Sequence, residues 1–230
     1  MSDVLENGGY VRLVESWGSD ARIIEAARMS TSGAFKGWGT RDDPGDERLL
    51  GYLYRNQHAT PFEMAGLVIE VQAPIFVVRQ WMRHRTQSYN ELSARYTAVP
   101  DLDYLPDLDR CVGRETANKQ AGSIAPADRD AIAAWRDSLA DLQYQAEQVY
   151  RAGLAAGVPK EIARLATTVA RYTRFRASAN LRNWLGFLRL RLDPHAQEET
   201  REYAEAVECL IADCFPRTYS LFREEMDRRG

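Results

Sequence analysis

Residues 79–96, "RQWMRHRTQSYNELSARY", place four arginines, a histidine, an asparagine, two serines and a single glutamate in one short stretch. Guanidinium forks grip phosphate oxygens in pairs and serine hydroxyls add donors. A lone carboxylate such as Glu91 can accept from a ribose hydroxyl or anchor an arginine. On a helix, Gln80, Arg83 and His84 lie three or four residues apart and share a face, with Arg79 one turn before Arg83. The turn beyond supplies Ser88, Asn90, Glu91, Ser93 and Arg95. A second block, Arg164 to Leu192, holds seven arginines and no acid. With a formal net charge of −3 overall, the remainder of the chain is strongly acidic. Two cation clusters on an acidic protein suit a compact anion such as a phosphate better than a long polyanion. Only residues 36, 119 and 160 are lysine, so arginine usage partly reflects composition, and the clustering carries more information than the residue type. The competing explanation is a solvated helix end whose arginines pair with acids elsewhere. For any one arginine that explanation is as good, because surface ion pairs are common and weak. For the whole set, which also includes Trp81 and Tyr89, it is poor.

The elements that position these residues follow from periodicity and punctuation. A strand is expected at Tyr10 to Glu15, then a helix capped by Asp20 and running to Met29, then a turn-rich loop over 30–45. A second helix is expected from Asp46 to Gln57, with Leu49, Leu50, Leu53 and Tyr54 as its apolar stripe. "AGLVIEVQA" reads as a strand, and Pro74 takes the first position of a helix that turns Ile75, Val78 and Met82 inward and delivers "RHR" to its C-terminal end. There the free carbonyls favour cations. Residues 100–126 lack periodicity and read as a mobile loop or lid. Asp128 to Ala155 read as one helix of about 40 Å, with Ile132, Trp135, Leu139, Leu142, Ala146, Val149 and Leu154 as its apolar face. Gly157 and Pro159 end it and start a helix holding Arg164. "TTVARYTRFRAS" alternates like a strand and a helix follows over 179–190. After Asp193 and Pro194, helices with Tyr203, Val207, Leu210, Ile211 and Cys214 on one side complete the chain. His195 is expected to cap the first of these. With no repeat or linker, the economical reading is one mixed α/β domain spanning 1–230.

Composition narrows the function classes. The chain is long enough for a sizeable core. Cys111, Cys209 and Cys214 form no C-x-x-C pair, no disulfide framework and no zinc spacing, and no two histidines have metal spacing, so no metal site is expected. No apolar run reaches the roughly 20 residues of a membrane helix and no signal peptide is evident, which points to a soluble, cytoplasmic protein without a membrane partner.

"RHRTQSYNELSARY" matches R-H-R-x-x-S-x-N-E-x-S-x-R-Y at every fixed position and so resembles the flavin-dependent thymidylate synthase family. The resemblance extends through "ARMS", "HATPFE", "APIFVVRQWMRHR", "YTRF", "ANLRNW" and "LRLDPHAQ", in family order. It implies a fold with a mixed sheet packed with long helices, assembled as a homotetramer with shared active sites. The implied reaction converts dUMP to dTMP, with methylenetetrahydrofolate as one-carbon donor, FAD as cofactor and NADPH as the usual reductant. By the same resemblance, Ser30, His58, Thr60, Arg83, His84, Arg85, Glu91, Asn180 and Arg182 fall at flavin and folate positions. Gln80, Arg83, Glu91, Ser93, Arg95 and Arg164 fall at the dUMP pocket, and Arg191 corresponds to the arginine that favours the ionised pyrimidine. Two positions depart from the pattern. Met64 stands where many members carry histidine, and Gly186 where an asparagine often contacts the flavin, so neither is given a side-chain role.

The cysteines bear on mechanism independently. Methylation through a thiolate needs an activated cysteine in an electropositive, accessible place. Cys111 lies in an acidic stretch, and Cys209 and Cys214 read as buried structural thiols, so the chemistry is assigned to a cofactor. Two alternatives remain. One is a related flavin enzyme methylating or hydroxymethylating another uridylate, such as UMP in nucleoside antibiotic pathways, or dUMP for a modified phage base. The other is an arginine-rich nucleic-acid-binding protein, against which the acidic remainder of the chain counts.

Overall fold

The computed structural model describes residues 2–5, 8–31, 33–40, 42–43, 45–112 and 128–228. Its strands are β1 (Ser2–Val4), β2 (Gly9–Trp17), β3 (Gly66–Pro74), β4 (Ser88–Glu91) and β5 (Tyr172–Asn180). Its helices are α1 (Asp20–Arg28), α2 (Gly45–Arg55), α3 (Ile75–Trp81), α4 (Leu108–Val112), α5 (Arg129–Ala155), α6 (Lys160–Ala163), α7 (Leu181–Arg191), α8 (Glu198–Cys214) and α9 (Pro216–Asp227). The strands form one sheet in the order β1-β2-β3-β5-β4. The expected α/β class holds. Every described pairing is antiparallel, however, where a mixed sheet was expected.

Period-two alternation in β3 and β5 gives the sheet two unlike faces. Leu67, Ile69, Val71, Phe175 and Ala177 point into the core under α3, α7 and α8. There Trp81 meets Phe187 at 4.6 Å, Phe175 at 5.4 Å and Trp184 at 6.5 Å between ring centroids. Such ring pairs add about 1 kcal/mol each beyond the area they bury, and they fix where α3 ends. The other face is polar. Glu70 accepts from Tyr10 at 2.9 Å and Arg12 at 2.8 Å, with Arg176 at 3.5 Å. Burial pushes the Glu70 carboxyl up, but these partners outweigh it and hold it below the usual range.

Several expectations need correction. Ser19, not Asp20, caps α1. Asp20 is buried and accepts from the Arg217 and Thr218 amides and the Thr218 hydroxyl, so it caps α9, almost two hundred residues away. Pro74 closes β3 and serves as N-cap of α3, whose fully buried residues are Val77, Val78 and Trp81; Met82 packs half-buried against the core as expected, and Ile75 is half-buried. Residues 100–112 are tied down by the pairing of Asp103 with Arg171 and by α4, so they do not form a free lid. Residues 113–126 of that expected lid lie outside the described ones. His195 caps nothing: its amide and ring nitrogen both face Asp193 Oδ1. Cys209 is exposed rather than buried.

The largest difference concerns α5. Its length and boundaries agree, and its end is a Schellman motif: Gly157 takes φ +85°, and Val158 N donates to Gly153 O. Its inward face, however, is Gln143, Glu147 and Tyr150, while Trp135, Leu142 and Val149 are more than half exposed. Ile132, Leu139, Ala146 and Leu154 of the expected stripe are half-buried, so only Trp135, Leu142 and Val149 of it point away, while the domain side takes polar partners: Tyr104 O accepts from Gln143, and Val99 N donates to Tyr150.

Candidate active site

The two arginine blocks meet where α3 ends. α3 stops at Met82, residues 83–87 turn, and β4 then pairs with β5 in the register Ser88↔Ser178 to Glu91↔Phe175. α7 follows β5 directly, capped by the Asn180 side chain, which accepts from Asn183 N at 2.9 Å. The C-terminal end of α7 brings Arg191 back to α3. Its Nε donates to His84 Nε2 at 2.9 Å and its outer nitrogen to Gln80 O at 2.9 Å. A guanidinium has no acceptor, so His84 Nε2 must be unprotonated and the imidazole carries its proton on Nδ1. Burial and the Arg191 charge push the His84 pKa down to about 4, and the ring is held edge to face against Phe187. Burial also lowers Arg191. Tyr89, pushed up to about 12 by burial, donates to His84 O at 2.9 Å and is 3.2 Å from Trp81 O. The result is a cation held by a neutral ring and a carbonyl, with no carboxylate in its shell among the described residues. Such a guanidinium keeps its field available to an incoming anion.

Around this pair, Arg79, Arg83 and Arg85 are exposed and enter no ion pair among the described residues. Gln80 donates to Gln197. Glu91 accepts from Thr173 at 2.8 Å. A second group forms nearby in sequence: Ser93 accepts from Arg95 N at 3.3 Å, Arg95 pairs with Glu161 at 3.0 Å, and Arg164 donates to the Glu161 carbonyl at 3.2 Å. Arg95 and Arg164, 69 positions apart in the chain, thus share one residue as partner. Ser30 and Thr60 line a cavity of about 440 Å³, and His58 lies on the wall between it and a second cavity of about 600 Å³ that Arg182 also lines. Arg182 pairs with Glu63 at 2.5 Å. The residues expected at one site therefore fall into three groups within the single chain: the Arg191 corner, the Arg95–Arg164 pair and the His58 cavities. Neither cavity is lined by Gln80, Arg83, His84, Arg85 or Arg191.

Sequence reasoning missed Glu161, Thr173, Tyr89 and Gln197 as partners of the expected residues. Gln197 was within reach, since it closes the quoted "DPHAQ". Glu161 and Thr173 carried no local signal. Among the described residues nothing lies within 4 Å of where a Gly186 Cβ would stand, so its lack of a side chain answers no tight crossing between them.

The residues present fit a flavin dinucleotide. Forked cations free of competing carboxylates suit its pyrophosphate, and Arg79, Arg83 and Arg85 are exposed and of that kind. Burial pushes the Cys111 and Cys214 thiols up, which disfavours a thiolate at either. Among the described residues no His, Cys, Asp and Glu cluster could hold a metal ion, and no helix is long and apolar enough to cross a membrane.

Residues 12–217 match the family model described as thymidylate synthase complementing protein. A flavin-dependent thymidylate synthase of Thermus thermophilus is 40% identical over 218 residues, covering 95% of this chain and 77% of that one. The enzyme of the same name from Ehrlichia ruminantium strain Gardel is 40% identical over 220 residues, covering 94% of this chain and 71% of that one. A solved structure of the UMP/dUMP methylase PolB from Streptomyces cacaoi, bound with 5-Br dUMP, superposes with a TM-score of 0.82 at 33% identity, covering 96% of this chain and 97% of that one. The chain belongs to the flavin-dependent thymidylate synthase family.

Proposed function

We propose that the protein is a flavin-dependent methyltransferase that converts dUMP to dTMP, taking the carbon from methylenetetrahydrofolate and reducing equivalents from NADPH. The observation that carries this reading is the Arg191 corner, where an arginine from α7 is held by neutral His84 and Gln80 O beside three unpaired arginines. Bound FAD would supply the hydride chemistry. The chain itself binds, orients and neutralises. Arg79, Arg83 and Arg85 would hold the pyrophosphate. Ser93, Arg95 and Arg164 would hold the nucleotide phosphate. Arg191, freed from neutral partners, would donate to the O2/N3 edge of uracil and stabilise negative charge developing on the ring, a contact worth roughly 3 kcal/mol in a water-excluded site. His58, Ser30 and Thr60, at the two cavities, would take the flavin and folate side.

Three groups separated within one chain are completed by other copies in this reading, as a homotetramer. The outward apolar face of α5, with Trp135, Leu142 and Val149, supports a subunit contact. The test is the purified protein itself. A yellow solution that bleaches with NADPH, recovers in air and forms dTMP from dUMP supports the proposal; a colourless protein that FAD cannot reconstitute rules it out.

A second reading has its own support. PolB, a UMP/dUMP methylase, superposes equally well in a structure bound with 5-Br UMP, with a TM-score of 0.81 at 34% identity, covering 96% of both chains. Turnover of UMP as fast as dUMP in a competition assay would favour that broader specificity.

A further inference from the structure

Arg171 is wholly buried, yet it lies outside every group described above. It immediately precedes β5 and reaches four acceptors at once. Its NH1 donates to Pro100 O at 2.8 Å, lies 2.8 Å from Glu147 and 3.7 Å from Asp101, and its NH2 lies 2.9 Å from Asp103. Only the bond to Pro100 is well directed; the close carboxylate contacts lie off the N–H axes, and Nε meets no acceptor among the described residues. The backbone around it is tied in three directions. Arg171 O accepts from Ile75 N at the start of α3, Tyr172 N donates to Leu102 O, and Tyr104 N donates to Ala170 O. Thr168 adds a hydroxyl bond to Asp103 at 3.2 Å.

These ties join the two segments on which the candidate phosphate pair rides. Residues 93–96 carry Ser93 and Arg95 and run straight into 97–104, the stretch Arg171 grips. Arg164 sits beyond the far end of α5, the helix Arg171 grips through Glu147. Between them, Lys160 reaches Tyr96 O at 3.1 Å and Val99 N donates to Tyr150 at 3.1 Å. Arg95 and its partner Glu161 are both exposed, and exposed pairs are too weak to set this spacing themselves.

We propose that Arg171 is a positioning residue that sets the separation of Arg95 and Arg164 and thereby the affinity for the nucleotide's phosphate. This inference rests on the assignment of Arg95 and Arg164 to that phosphate. A planar fork reaching a carbonyl and three carboxylates has no equivalent in an ammonium, so Arg171→Lys keeps the charge and loses the geometry.

The test compares binding of dUMP and deoxyuridine, which differ only in the phosphate, to the FAD-loaded full chain. In Arg171→Lys the preference for dUMP should fall about tenfold with FAD affinity unchanged, as expected for a phosphate site displaced by a fraction of an ångström. Asp103→Asn, which keeps the buried cation and removes one of its anchors, should lower the preference about threefold, and it serves as the readout if Arg171→Lys does not fold. A ratio unchanged in the folded variant, while Arg95→Ala lowers it, overturns the proposal and leaves the phosphate assignment standing. So does an equal loss of affinity for dUMP and deoxyuridine, the mark of general damage. A ratio that Arg95→Ala also leaves unchanged overturns the assignment itself, and the proposal with it.

Discussion

The corner where α3 meets α7 and the junction where β5 meets α5 both gather arginines and treat them in opposite ways. At the junction, Arg171 is buried against Asp103, Glu147 and, more distantly, Asp101, and Arg151 pairs with Glu147 and Asp101 from outside. At the corner, Arg191 has an imidazole and a carbonyl, and Arg79, Arg83 and Arg85 have no carboxylate among the described residues. A buried charge without its counter-charge is costly, so the junction's pairs belong to folding. A half-buried cation denied a carboxylate sacrifices stability and is ready for an anion from outside. Between these two regions the pairing state of an arginine, more than its burial, separates the structural one from those offered to a ligand; Arg95 and Arg182, exposed and paired with Glu161 and Glu63, belong to neither region.

That contrast can be broken by substitution. Arg171→Leu should have the largest effect on stability, about 3–5 kcal/mol, because it leaves Asp103 without its cation and Glu147 with Arg151 alone among the described residues; a denaturant midpoint near wild type would contradict the pairing argument. Arg191→Ala should keep flavin and a melting temperature close to wild type while methyl transfer falls about a hundredfold. Loss of FAD from that variant would instead make Arg191 a cofactor ligand. Arg95→Ala should raise the Michaelis constant for dUMP about tenfold with little change in kcat, and an unmoved constant would remove it from the phosphate site.

His84 gives a smaller effect with a definite sign. Folded, its pKa is lowered to about 4 by burial and Arg191, against 6.5 ordinarily. The stability tied to the neutral ring is therefore complete above about pH 6.5 and is lost as pH falls towards 4. His84→Gln, which keeps an acceptor for Arg191, should lose less melting temperature between pH 7 and pH 5 than wild type, and an equal loss would show that His84 is not the titrating group. Cys209→Ser, at an exposed thiol on α8 that belongs to neither region, should leave turnover and stability within error.

Legibility in the sequence followed the range of the interactions. β3, α3, β5 and α7 were readable because their periodicity and punctuation are local: the apolar alternation of 66–74, the proline at 74 and the alternation before 179; that Asn180 caps α7 emerged only from the structure. The arginine blocks were readable as clusters, and the 79–96 stretch as a family signature. The partner that each arginine takes was not. Arg171 looked like one of seven in its block, and only the fold reveals that its carboxylates come from residues 101, 103 and 147. Asp20 read as the cap of the helix it begins and is the cap of α9. Of the α5 stripe, Trp135, Leu142 and Val149 face outward while Ile132, Leu139, Ala146 and Leu154 are half-buried, because hydrophobic spacing fixes which residues share a face and not which side that face meets. Tyr54, Arg189 and Glu225, joined in a hydrogen-bonded triad on the larger cavity wall, are spread over 171 positions and left no pattern to read.

The central claim is that arginines left unpaired by the fold hold the flavin. It is tested most directly by the FAD dissociation constants of Arg85→Ala and Arg22→Ala, the second removing an arginine already paired with Glu25. The account predicts at least a tenfold weakening for Arg85→Ala, about 1.4 kcal/mol, and none for Arg22→Ala. Equal affinities in the two variants, both matching wild type, would contradict it.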